Sequence, residues 1–585
     1  MYRKEFYSLL VLALFLYLLL RAVFNPLVFD EATTFLLYAR SNNFLPWKAY
    51  WAANNHYLNT ALVWGFTIVF GPAEFVQRIP NLLAFLIFSL YLYRLALPIK
   101  STLFFWGLVF ATLFTHPFLE LFGFSRGYGL SFAFLAAALY YMKMLLHEIT
   151  LKRVLLLNLM LMLIIFSNLS LLPIVLLLYF GAGIWIFISK SPVKVLAIHA
   201  LIGVLPIIFA VLVSFELKER ALLFYSTSAG FWDGSLLSLQ KAIFHSEHVA
   251  VKMWFLINLV ALLIALRVYV RAEQFQFFSF PVLLALLVLV VPAFYFIAHF
   301  IIGVEFPLAR SIIFLPFLFA LSLIYIFNEL KINRKLAIAA VGVLVFPLAM
   351  SFGWSANFKN ATAFLWNTEQ IPDAFFEHIS KDVSVEKPTI AGYFLRQQNW
   401  DYLNFKSEIK TNRLQIQDYP SAVADYQIVD FEQVSGLQNL YDEILTDHGS
   451  GLILMKRKKP LKRKLITEAN VGPINSSPQY YKLLELLQPT ISAHYYFECD
   501  LNLSSLANPF HGVISLNVVD SNGITIDYLE TRLYTMYPAL GQIKTGLYIS
   551  DIPHNAVKVT CFLYNVNQQE YELESGHVSL YELEN

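Results

Sequence analysis

Apolar runs of bilayer length recur along the first 350 residues, and a run of that length admits few folds. The first, residues 6–24 (FYSLLVLALFLYLLLRAVF), is almost wholly apolar, and crossing the hydrocarbon core takes roughly 20 residues of helix. Inside lipid every backbone amide must be bonded within its own segment, so such a run crosses as a helix. Further spans are predicted near 79–97, 102–117, 128–146, 154–168, 171–189, 195–214, 251–269, 279–301, 309–328 and 336–353, about eleven with the first. Because 58% of the chain is hydrophobic and only 14% charged, most of it is solvated by a bilayer. A net charge of +2 gives no ground for a nucleic-acid partner. The start Met1-Tyr2-Arg3-Lys4 is like that of a secretory signal, but the apolar run is too long and lacks a small-residue cleavage site, so it reads as an uncleaved first helix.

Orientation follows from the basic residues, which favour cytoplasmic loops. With eleven spans, Arg3 and Lys4 share a side with Arg94 and Lys100, Lys143, Lys152 and Arg153, Lys190 and Lys194, Arg267 and Arg271, and Lys331, Arg334 and Lys335. Residues 57–70 (YLNTALVWGFTIVF) would make a twelfth span but are short, and counting them would turn every basic loop outward. They are therefore read as a helix lying along the outer surface, within a first external loop of about 25–78. The N-terminus is then cytoplasmic and everything beyond the last span extracytoplasmic.

Past Gly353 the composition becomes that of a water-soluble protein, so residues 1–354 are expected to be the transmembrane domain. In 355–464, WNTEQIPDAFFEHIS and LQNLYDEIL read as helices, and PTIAGYF, DYQIVDF and GLILMKR as strands, predicting a small α/β domain. The basic KRKKPLKRK at its end reads as a solvated linker. From 465 to 585, alternating runs such as YYFECDLNL and VKVTCFLYNV, separated by Asn, Gly and Pro turns, predict a β-sandwich of jelly-roll type. Cys499 and Cys561 both fall on its strands, either bridged or simply buried.

An adjacent pair of acids, Asp30-Glu31, follows the first span at the outer surface, where an ionisable pair marks a candidate site. Four more polar features lie on the same side: Asn54-Asn55-His56-Tyr57-Leu58-Asn59-Thr60; Arg78-Ile79-Pro80 opening the second span; Ser125-Arg126-Gly127-Tyr128 entering the fourth; and Glu305 through Arg310 to Pro316 entering the tenth. This order and spacing resembles the GT-C superfamily of integral-membrane glycosyltransferases, which includes protein O-mannosyltransferases and aminoarabinose transferases. The resemblance covers roughly residues 1–350. Where members carry a His-Pro-Pro-Leu-like segment this chain has His56-Tyr57-Leu58-Asn59, and its late element reads Ala309-Arg310-Ser311.

The resemblance implies a sugar taken from a polyprenyl-phosphate carrier and passed to a glycan, lipid or protein acceptor on the outer face of a membrane such as a bacterial inner membrane. It implies Asp30 as general base, Glu31 orienting it or binding sugar, and His56, Arg78, Arg126, Tyr128 and Arg310 as substrate-binding residues, with the guanidinium groups of Arg310 and Arg126 on phosphate. Read singly, the same residues have plainer uses. Asp30 is a good helix N-cap with Glu31 in the first turn, Arg126 and Arg310 sit at interfacial helix ends, and Arg78 and His56 suit structural roles. In the loop 215–250, His245 and His248 are spaced to share a helical face, but no cysteine or well-spaced carboxylate completes a metal set, so solvated charge is the better reading. No cofactor is indicated, although a divalent metal is compatible with the chemistry. Competing readings are a lipid or glycan transporter and a non-catalytic scaffold for envelope assembly. If the eleven-span topology holds, a reporter fused near Pro72 should be extracytoplasmic and one near Lys100 cytoplasmic; a cytoplasmic reporter at Pro72 would contradict it.

Overall fold

The computed structural model describes residues 2–49, 51–222, 226–272, 275–356, 367–417, 419–474 and 476–584. The chain divides into two compact units, Met1–Phe24 with Asn42–Leu365, and Asn25–Ser41 with Trp366–Asn585. Residues 25–41, expected in the first external loop, thus fold with the C-terminal unit.

The helices in chain order are α1 Arg3–Phe24, α2 Phe29–Thr33, α3 Tyr57–Phe70, α4 Glu74–Ala96, α5 Thr102–Leu113, α6 His116–Glu120, α7 Gly127–His147, α8 Leu151–Ser167, α9 Leu172–Ile188 and α10 Val193–Glu219. Then follow α11 Leu237–Phe244, α12 Val249–Val270, α13 Phe280–Ile297, α14 Ala309–Ile312, α15 Leu315–Leu330 and α16 Arg334–Ser355. Each predicted span falls on a helix. Among the described residues nine helical stretches are long and apolar enough to cross a membrane, and a tenth is made by α5 with α6. The predicted span 102–117 is not straight: the chain bends by 65° there and continues to Gly123, with Pro117 opening the new helix. Helix α8 has 17 residues, at the short end of the spanning range of about 17–25. The stretch set aside as too short to span is the 14-residue helix α3. Local caps fix several starts: Ser101, Thr150 and Asn333 accept backbone N–H groups of Phe104, Arg153 and Leu336. A two-stranded pair, β1 Ser226–Thr227 with β2 Phe306–Pro307, ties the loop before α11 to the approach to α14.

The second unit contains a mixed sheet of β3 Ile390–Gly392, β4 Tyr426–Asp430, β5 Tyr441–Asp447 and β6 Leu452–Arg457, in the order β3-β4-β6-β5. Helices α17 Asp373–Lys381 and α18 Gln397–Lys406 supply Phe375, Phe376, Trp400 and Leu403 to its core. The segment LQNLYDEIL, predicted helical, is instead largely β5, because pairing with β6 buries Tyr441 and overrides a weak helical period. In the other predicted helix, WNTEQIPDAFFEHIS, regular helix begins only at Asp373 after Pro372, and Trp366 lies outside the described residues. The basic run read as a linker is mostly strand: β6 reaches Arg457 and β7 starts at Lys462.

Strands β7 Lys462–Val471, β8 Tyr480–Leu487, β9 Tyr495–Ser504, β10 Gly512–Asp520, β11 Thr525–Arg532, β12 Gln542–Ile549, β13 Ala556–Asn565 and β14 Glu572–Glu584 form two antiparallel sheets, β12-β9-β14-β7 and β11-β10-β13-β8. That strand order is a jelly roll. Period-2 alternation points Phe497, Cys499 and Leu501 of one sheet toward Val559, Cys561 and Leu563 of the other. The two sulfurs are 3.8 Å apart and both thiols are free and buried.

The mixed sheet and the jelly roll are joined through buried polar groups. Arg413 donates to both carboxylate oxygens of Asp401, whose Oδ2 also accepts the Thr535 hydroxyl from the short helix α19 Leu533–Met536. Asn412 accepts the Gly546 N–H and donates to the Tyr496 hydroxyl. Breaking a buried pair by removing one partner costs about 3–5 kcal/mol, since it strands a charge. Asp401→Asn should therefore lower the opening free energy of residues 411–415 by about that much, read by hydrogen exchange on the full-length protein. Unchanged protection would show the pair to be dispensable.

Candidate functional site

Three of the motif segments are knitted together by side-chain amides inside the membrane unit. Asn81, one residue after Pro80 in α4, donates to Asn59 Oδ1 at 2.7 Å and accepts the Leu130 N–H at 3.2 Å. Asn59 in turn donates to the Ser125 carbonyl at 3.2 Å. Both amides are fully buried, so these bonds fix the relative positions of the segments carrying His56, Arg78 and Arg126.

The glycines of Ser125-Arg126-Gly127-Tyr128-Gly129 are there for space. A Cβ on Gly127 would strike the Ser167 carbonyl and lie 2.7 Å from the His56 ring, and one on Gly129 would lie 2.7 Å from Asn81 Oδ1. With Gly127 in place, the His56 Nδ1 sits 2.8 Å from the Ser167 carbonyl oxygen. A carbonyl only accepts, so Nδ1 carries a proton in this contact. The ring packs edge-on to Tyr128, 5.2 Å between centroids, and the Arg126 guanidinium lies 5.8 Å from the same tyrosine ring. His56, Tyr128 and Ser311 all line one cavity of about 430 Å³ among α8, α9, α10 and α13, whose walls are mainly apolar. Ser311 adjoins Arg310, and their helix α14 packs against the turn Leu169–Leu171.

Arg78 has a different setting. It is fully buried, donates to the Ala22 carbonyl at the end of α1, and lies over the Phe124 ring at 5.8 Å. It thereby satisfies one of the carbonyls that a helix C-terminus leaves without an intrahelical partner.

Asp30 and Glu31 fold with the C-terminal unit. The helix starts earlier than expected: its N-cap position is Val28, so Asp30 is inside the first turn and is not the cap. Glu31 reaches back to accept the Val28 N–H at 3.0 Å. The helix continues as a π-helix over Thr34–Ala39, a form that recurs at functional sites. It is pinned from several sides. Asn399 and Gln370 donate to the Leu27 and Pro26 carbonyls, Phe35 packs on Tyr402 and Phe405, and Arg40 donates to the carbonyls of Tyr534, Tyr537 and Pro538. Both carboxylates are almost wholly buried.

A buried ion pair went unforeseen. Arg21 of α1 pairs with Glu120 of α6, beside a 2.7 Å bond between the Tyr17 hydroxyl and His116 Nε2. The bend at His116-Pro117 brings Glu120 in, and that dipeptide was the available signal. His245 and His248 do not share a helical face. His245 ends α11 and bonds the Ser355 hydroxyl, whereas His248 caps α12. Among the described residues no group of three or more His, Cys, Asp or Glu is placed to hold one metal ion.

No protein-family model and no curated protein matches this chain. Among solved structures it is similar to ArnT from Cupriavidus metallidurans in the apo state, with 10% identity over 77% of this chain and 98% of that one and a TM-score of 0.45. It is likewise similar to the same ArnT bound to undecaprenyl phosphate, at 10% identity, 77% and 98% coverage and a TM-score of 0.43. Arabinosyltransferase EmbB from Mycobacterium smegmatis is similar at 12% identity, 98% of this chain, 64% of that one and a TM-score of 0.29.

The space argument is directly testable. Gly127→Ala should lower the melting temperature of the detergent-solubilised protein, whereas Gly342→Ala, where a Cβ meets nothing within 4 Å, should leave it unchanged. Equal melting of the two variants would remove the close approach from the account.

Proposed function

We propose that this protein is a membrane glycosyltransferase of GT-C type that moves a sugar from a polyprenyl-phosphate donor to an acceptor on the extracytoplasmic face. The observation that carries the reading is the cavity of about 430 Å³ in the membrane unit: its walls suit an isoprenoid chain, and it is also lined by His56, Tyr128 and Ser311. An apolar enclosure with a few convergent polar groups is what a lipid-linked substrate needs.

The donor already carries a good leaving group, so one displacement suffices. The acceptor hydroxyl or amine attacks the anomeric carbon as its proton passes to a base, and the carrier phosphate leaves with the bonding pair. In this reading Asp30 is the base and Arg310, with Arg126, holds the departing phosphate through guanidinium donors that stay charged in an apolar setting. His56, on the cavity wall, is placed to contact the phosphate or the acceptor. Glu31 acts through the backbone, holding the turn that carries Asp30. The burial of both acids beside a π-helical stretch supports a positioned base over a mobile surface carboxylate.

Asp30→Asn keeps the shape of the side chain and removes the proton acceptor. The variant should stay folded and inserted while transfer falls roughly 10²–10⁴-fold, the usual effect of losing a general base. Glu31→Gln should be milder, because the amide oxygen still accepts the Val28 N–H. Transfer by Asp30→Asn at near wild-type rate would refute the mechanism. Separately, Arg310→Lys should weaken donor turnover, since an ammonium cannot supply a bidentate fork; undiminished turnover in Arg310→Ala would remove Arg310 from the site.

A further inference from the structure

Two hydrogen-bond donors in the cavity take no partner from the described residues. Asn168, the residue that ends α8, is 4% exposed. Its Oδ1 accepts both the N–H and the hydroxyl of Ser170, at 3.1 and 2.8 Å, which fixes the amide's orientation and leaves Nδ2 as the remaining group. Nδ2 is buried and unbonded, and so is the hydroxyl oxygen of Tyr295 on α13. Both residues line the cavity with His56, Tyr128 and Glu305. A buried polar group without a partner costs about 1–3 kcal/mol, so two in one enclosure ask for a ligand that answers them.

We propose that Asn168 and Tyr295 are specificity-determining residues that read hydroxyl oxygens of the donor's sugar; this rests on the carrier reading above. The chemistry separates sugar from phosphate. Both donors are uncharged, whereas phosphate is held best by cations in a bidentate fork. Glu305, which accepts the Ser226 hydroxyl at 2.7 Å, lines the same cavity and is an acceptor. Sugar hydroxyl groups can both accept from an amide and a phenol and donate to a carboxylate. The preceding residue supports the placement: the Ser167 carbonyl holds His56, so Asn168 follows directly from the motif-bearing contact.

The full-length protein in nanodiscs would be titrated with undecaprenyl phosphate and with undecaprenyl-phosphate glucose, mannose and arabinose. The variants are Tyr295→Phe, which removes one oxygen, and Asn168→Leu, which removes the amide at similar volume. Each should bind bare undecaprenyl phosphate as the wild type does and lose roughly tenfold affinity for the sugar-bearing donor that the wild type prefers. Equal losses for the bare and sugar-bearing carriers, or no loss in either variant, would overturn the proposal. So would a wild type that binds the bare carrier and gains nothing from any sugar, which leaves the carrier reading standing. A wild type that binds none of the four overturns that reading itself, and this inference with it.

Discussion

The candidate site depends on one carboxamide. Asn81 sits inside an apolar helical body where water cannot satisfy it, so its N–H and C=O must be matched by protein. They are matched by Asn59 and by the backbone of Leu130, and that requirement holds three separate chain segments in one arrangement. The tolerance is small, because Gly129 must leave room for Asn81 Oδ1 and Gly127 must leave room for the Ser167 carbonyl and the His56 ring. In a membrane, where apolar packing between helices gains little over packing against lipid, such bonds and small residues decide which helices meet.

Much of this was legible in the sequence for a physical reason. Bilayer-length apolar runs leave the backbone no alternative to helix, so each predicted span is helical, with 102–117 and 309–328 each broken into two helices, and strict alternation in 465–585 announced the sandwich. Local signals failed where tertiary pairing decides. Tyr441 to Asp447 had a weak helical period and became a strand because β6 offers it a partner. The run at 456–464 looked like a solvated tether because of its charge, yet strands β6 and β7 use most of it. The site was legible as a set of segments, but its geometry was not. Nothing local in the sequence says that Arg78 serves the end of α1, that Glu120 pairs with Arg21, or that residues 25–41 fold with the C-terminal unit.

The acid pair illustrates how one short motif divides its labour. Glu31 is committed to the Val28 N–H, a contact within its own turn, and so stiffens the helix start. Asp30 is one position earlier in the same turn and is likewise buried. The surrounding bonds of Asn399, Gln370 and Arg40 then hold the whole helix within the C-terminal unit.

The most direct test of the account is the fate of the donor's anomeric bond. Purified protein in vesicles would be given a polyprenyl-phosphate sugar together with an envelope acceptor fraction, and the lipid and glycan products resolved by mass spectrometry and anomeric proton NMR. A single displacement predicts free polyprenyl phosphate and a glycosylated acceptor whose anomeric configuration is inverted relative to the donor. A donor that remains intact, whether left in place or moved across the bilayer, would contradict the transferase account.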